Sequence, residues 1–137
     1  MRRPRVDNWA TALRAVIAEH ESQPFVWGQS DCSFAFDAVR AITGFDPIES
    51  IRGYGSELAA LRNLRASGFE TTADLVAAHF EEIPAMSAMR GDLGYPSEVR
   101  HPLMSPAVIF GAFAYSKSPG EGWVVIETAA LTRIYGV

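Results

Sequence analysis

The chain has 137 residues, which suits one domain burying about two-thirds of its unfolded surface, and 48% hydrophobic against 20% charged residues supports a real core. Those proportions exclude disorder, a fibrous repeat and two compact domains, and a net charge of −4 leaves no basic excess to draw the chain onto nucleic acid. No apolar run approaches the roughly 20 residues of a membrane span, so none is expected. The start, Met1-Arg2-Arg3-Pro4-Arg5, leads into an amphipathic pattern without a signal-peptide core, and the expectation is a single domain over residues 1–137, made in the cytoplasm. One cysteine, Cys32, excludes an internal disulfide and a thiolate-only metal cluster.

The first helix is announced by Asp7 as N-cap, with Trp9, Leu13, Val16 and Ile17 on one face, and should end near Glu21, ahead of Pro24. His20 returns to the Trp9 face after about three turns and reads as a core-edge histidine. An aromatic loop, Phe25-Val26-Trp27-Gly28, then leads through Ser30 and Asp31 to Cys32. From Cys32 onward, Ala35, Phe36, Val39 and Ile42 recur at helical spacing, and Gly44 is the stop signal. Ser30 and Asp31 are both competent N-caps, so Cys32 is expected in the first turn, where unpaired N–H groups and the helix dipole favour a thiolate.

A Pro/Gly-punctuated loop from 46 to 55 precedes a short helix carrying Leu58, Leu61 and Leu64, ended by Gly68. The next helix has Thr71 and Asp74 in capping-box spacing, with Leu75, Val76, Phe80 and Ile83 inward. His79 borders that face and is expected to be structural. After Pro84 the pattern becomes extended: a short strand at 91–95, a long one at 106–115, a turn at 116–121, a third strand at 122–127 and a closing one at 132–136. Helices first and a strand meander afterwards predict an α+β domain, its N-terminal helices packed on a small C-terminal antiparallel sheet.

Taken alone, a cysteine on an inward helix face is more often a small buried hydrophobe than a nucleophile. The block Phe25-Val26-Trp27-Gly28, then Asp31-Cys32-Ser33 opening a helix, with Gly91-Asp92-Leu93 leading into strands, resembles the NlpC-type cell-wall peptidases, compact papain-like cysteine hydrolases. The pattern is closest to a branch of that superfamily carried by phages and prophages near tail-assembly genes. The resemblance implies a papain-like fold, Cys32 at the nucleophile position, Asp31 and Ser33 as its flanks, and Phe25 and Trp27 along a substrate groove. Phe25 stands where the family usually has a substrate-contacting tyrosine. The family's histidine strand aligns with 107–111, which puts Ser105 or Pro106 where the general base belongs.

His101 is the nearest histidine to that place, but four extended residues span roughly 13 Å, beyond hydrogen-bond reach of a thiol unless the chain turns back. Two readings follow. In one, Cys32 attacks an amide of a peptidoglycan stem peptide, His101 relays the proton and Glu127 orients it. In the other, the same fold works without hydrolysis as a binding or assembly module among phage tail proteins, made in the cytoplasm and carried by the virion. The empty histidine position favours the second, since loss of a general base costs about two to four orders of magnitude in rate. Thiol redox chemistry needs only Cys32 and is a third option. Phe110, Phe113, Tyr115 and Trp123 serve either the core or a contact patch. No cofactor is implied, and the three histidines with Cys32 lack metal-ligand spacing.

Overall fold

The computed structural model describes residues 2–137. Its first helix, α1 (Trp9–Glu21), buries Leu13, Ile17 and His20, the i, i+4, i+7 stripe of an amphipathic helix. Its N-cap is Asn8, without a side-chain cap, where Asp7 was expected. Helix α2 (Phe34–Thr43) is buried on most sides through Phe34, Ala35, Phe36, Ala38, Val39 and Ile42, and becomes the central helix because it lies between α1 and the sheet. Each large side chain taken out of water there contributes about 2 kcal/mol. Gly44 ends α2 at φ +78°, a left-handed position that an L side chain would strain.

Helix α3 (Glu57–Ala66) is capped by Ser56, whose hydroxyl accepts the Ala59 N–H, and α4 (Thr72–His79) by Thr71, which accepts the Asp74 N–H as the capping spacing predicts. The strands are β1 (Glu81–Ile83), β2 (Leu93–Tyr95), β3 (Ala107–Phe110), β4 (Phe113–Ser118), β5 (Gly122–Glu127) and β6 (Arg133–Gly136). They form one antiparallel sheet in the order β1-β6-β2-β3-β4-β5. The α+β class, with the helices ahead of the main sheet, is therefore as the sequence pattern predicts.

Two strand expectations change. The long strand at 106–115 is a hairpin, folded at Gly111-Ala112 between the Phe110–Phe113 pair. Gly111 has φ +83°, while among the described residues no non-glycine, Ala112 included, has positive φ, the pattern of a two-residue turn with glycine first. The turn expected at 116–121 shrinks to 119–121, because Ser116, Lys117 and Ser118 continue β4 opposite Val124, Trp123 and Gly122. Strand β1 was hidden by its shortness and its two glutamates.

Alternation along the strands builds two cores. Val108 faces the helices with Leu13, Phe34, Val39 and Leu75, whereas Ala107, Ile109, Ala114 and Ile134 meet Leu131 on the opposite face. The N-terminal segment straps the assembly. Arg2 and Arg5 pair with buried Asp92, which also accepts the Val137 and Met89 N–H groups. Gly91 is obligatory beside it: φ is +89°, and a Cβ would lie 2.6 Å from Ile42 Cδ1. Among the described residues, no helix is long and apolar enough to cross a membrane.

Candidate functional site

The loop between α1 and α2 is organised by Asp31. Its Oδ2 accepts the Gly28 N–H at 2.7 Å and its Oδ1 the Ser33 N–H at 2.8 Å, which closes the loop over the approach to α2. Gly28 adopts φ +80°, and a Cβ there would lie 2.2 Å from the Tyr54 carbonyl oxygen, so the loop backbone presses directly on the 46–55 segment. Cys32 follows in a turn two residues ahead of α2, not within it.

That displacement alters the thiol. Cys32 is 5% exposed, and burial, then the neighbouring Asp31 carboxylate, push its pKa well above the ordinary cysteine value; its backbone hydrogen bond and Tyr54 oppose only part of this. The Tyr54 hydroxyl interacts with Cys32, Asp31 and Ser33, and burial, followed by Cys32 and Asp31, raises its own pKa. Tyr54 thus roofs the thiol. Beneath it lies a void of about 20 Å³, lined by Cys32, Ser33, Tyr54, Thr72, Leu75 and Leu103, with room for about one water and too small for a substrate.

His101 sits in a turn whose Met104 N–H returns to its carbonyl, so the chain bends back instead of running straight into β3. Its Nδ1 accepts the Leu103 N–H at 2.9 Å, which leaves the ring proton on Nε2 to donate to Glu57 Oε1 at 2.6 Å. Both ring nitrogens are committed. Glu127, expected as the orienting residue, lies exposed at the end of β5, and the carboxylate that holds His101 is Glu57 of α3. At the position aligned with the family's base, the buried Ser105 donates its hydroxyl to the Pro106 carbonyl.

The structure does bring several of the sequence-derived residues together. Phe25, Trp27 and His101 line one open groove of about 360 Å³ with Glu57, Pro119 and Gly120. Trp27 meets Phe25 edge-on at 5.0 Å and Tyr54 at 6.3 Å between ring centroids. The groove and the thiol are neighbours: Tyr54 lies between Trp27 and Cys32, and Leu103, bonded to His101, lines the thiol's void. Cys32, Asp31 and Ser33 themselves lie below the groove, buried.

A second polar cluster locks the loop from behind. Lys117, 1% exposed, spends its three donors on the carbonyls of His20 (2.6 Å) and Gln23 (2.8 Å) and on Ser30 Oγ. Ser30 Oγ also lies 2.9 Å from His20 Nδ1, and His20 Nε2 lies 2.9 Å from Asp37 Oδ2, so the histidine ring bridges the loop to α2. Asp37 continues to Arg52 at 2.7 Å and Arg52 to Asp46 at 2.7 Å. Burial alone would raise the Asp37 carboxyl, but the His20 hydrogen bond and the Arg52 guanidinium outweigh it and hold it below the ordinary value. The sequence placed His20 at the core edge, where it lies, but missed Tyr54, Glu57 and the other links of this chain. Lys117 left a signal of its own: a lone lysine two residues after Tyr115 shares its strand face, which packs toward the helices.

Among the described residues, no group of three or more His, Cys, Asp or Glu side chains could hold a metal ion. No curated protein and no solved structure matches the chain. A family model described as a domain of unknown function (DUF6950) matches residues 4–137, nearly the whole chain, and the protein therefore belongs to that family.

Proposed function

We propose that this protein is a papain-like domain of the NlpC type in which the nucleophile position is kept, hydrolysis is lost, and the domain works as a binding or assembly module. The observation that carries this reading is the state of Cys32: buried, its pKa pushed up by burial, roofed by Tyr54, while both ring nitrogens of His101, the imidazole of the adjoining groove, are already hydrogen-bonded. An acyl transfer needs the opposite, a thiolate with a general base in hydrogen-bond reach. The placement in a phage or prophage tail, with tail proteins as partners and the virion as destination, rests on the resemblance of the Phe25 to Ser33 block and the Gly91-Asp92-Leu93 turn.

A second reading has its own observation. The groove sets Phe25, Trp27, Glu57 and His101 beside the thiol, an arrangement suited to a peptide with a dyad behind it. In that reading Tyr54 swings aside and His101 leaves Leu103 to take the thiol proton. The sulfur attacks a stem-peptide carbonyl, the amine departs with that proton, and water releases the acid from the thioester.

Muropeptide digestion by wild type and by Cys32→Ala separates the two. No cleavage by either supports the binding module; turnover that disappears with Cys32→Ala establishes the hydrolase. Iodoacetamide labelling against pH gives the same answer from the thiol's side. The native chain should resist labelling through pH 9, and an inflection near the ordinary cysteine pKa of about 8.5 would overturn the buried, inactive thiol.

A further inference from the structure

The two edges of the sheet are built differently. Natural edge strands are blunted by shortness, charge, proline or a bulge, because an open row of N–H and C=O groups templates pairing with another strand. One edge obeys: β1 has three residues, two of them exposed glutamates. The other carries only a terminal charge, Glu127. Strand β5 runs six residues with Trp123-Val124-Val125-Ile126 at its centre, and its register with β4 is unbroken from Ser118–Gly122 to Phe113–Glu127. Among the described residues, nothing outside β4 hydrogen-bonds to it.

We propose that β5 is a self-association edge, at which two copies of the chain pair antiparallel about a two-fold axis through Val125 and join their sheets into one. The axis follows from register. Paired residues share a face of the sheet, so a two-fold that joins like faces must set one residue opposite itself. With Val125 there, Val124 meets Ile126, Trp123 meets Glu127, and no two charges oppose. With Val124 there, Glu121 would face Glu127, a like-charge pair that destabilises a sheet. The Val125 register covers the most exposed apolar side chain of the strand, at 55%. It also places Glu127 of the second copy across from Trp123, whose indole N–H is the one buried side-chain donor without an acceptor among the described residues.

Sedimentation or light scattering on the full chain tests the proposal. Wild type should weigh twice the 15.0 kDa chain mass. Val125→Lys, which brings two ammonium groups together at the axis, should weigh one chain mass while keeping the wild-type circular dichroism spectrum, and its urea midpoint should no longer rise with protein concentration. Oxidative cross-linking checks the register in a Cys32→Ala background. Val125→Cys should form a disulfide with its counterpart. Val124→Cys should not, because its counterpart lies offset by two residues, roughly 8 Å between Cα atoms and beyond disulfide reach. A wild-type monomer at every concentration, a dimer that survives Val125→Lys, or cross-linking at Val124 in place of Val125 overturns the proposal.

Discussion

At Cys32 two tendencies compete. Nearness to a helix start lowers a thiol pKa, while removal from water and a carboxylate neighbour raise it, and here burial wins because the thiol stops short of α2 and points under Tyr54. Lys117 shows the reverse economy: an ion is kept inside because all three donors are met. Replacing it by methionine strips partners from two carbonyls and a hydroxyl and should cost about 2–4 kcal/mol by urea unfolding at neutral pH. Burial lowers the Lys117 pKa, with Asp31 opposing, so between its folded value and about 10.4 the unfolded chain binds more protons and wild-type stability gains as pH rises. Lys117→Met should lose that gain; an identical pH profile for both proteins would show that the buried ammonium carries no linkage.

Between elements, the contacts that matter are the ones that clamp the α1–α2 loop. Asp37 links α2 to His20 of α1 and to Arg52, and its folded pKa is depressed. Its contribution is therefore complete above the unfolded Asp pKa of about 3.9 and is lost as pH falls through the folded value. Asp37→Asn should lower stability by about 1–3 kcal/mol at pH 7 and flatten the acid limb of the stability curve, read from urea midpoints between pH 2 and 6. The glycines separate conformational cost from collision. Gly111→Ala meets open space and pays only for its left-handed backbone, about 1 kcal/mol, whereas Gly28→Ala also drives a Cβ into the Tyr54 carbonyl. Gly28→Ala should be the more destabilising of the two and should raise thiol labelling by loosening Tyr54; equal midpoints would deny the close approach a role.

For the whole molecule, Asp92 is the point where both ends of the described chain meet the sheet. Arg2, Arg5, Met89 and Val137 all converge on its carboxylate. Asp92→Ala takes the counter-charge from two guanidinium groups, which keep only backbone carbonyl partners, and the acceptor from two N–H groups, and should cost about 3–5 kcal/mol, measured as a loss of urea midpoint. Arg2→Ala alone, at the more exposed partner, should cost less. Equal effects would place the strap's strength in Arg2 and not in the buried carboxylate.

Local signals determined a large part of this protein. Helical spacing marked Leu13 and Ile17 in α1 and Val39 and Ile42 in α2, the Thr71–Asp74 cap placed α4, Gly44 ended α2, and the change to alternating residues after Pro84 announced an antiparallel sheet. Each of these depends on residues within a turn or two of one another, so periodicity and capping chemistry suffice to reveal them. The hairpin at Gly111 was equally local and was masked because apolar residues continue across it. The tertiary structure alone decided the site. Tyr54 over Cys32, Glu57 on His101 and Lys117 behind Ser30 join residues 22, 44 and 87 positions apart. Burial and hydrogen-bond geometry at that range set whether a thiol is a nucleophile or a packed side chain, and neither quantity exists until the helices have closed on the sheet.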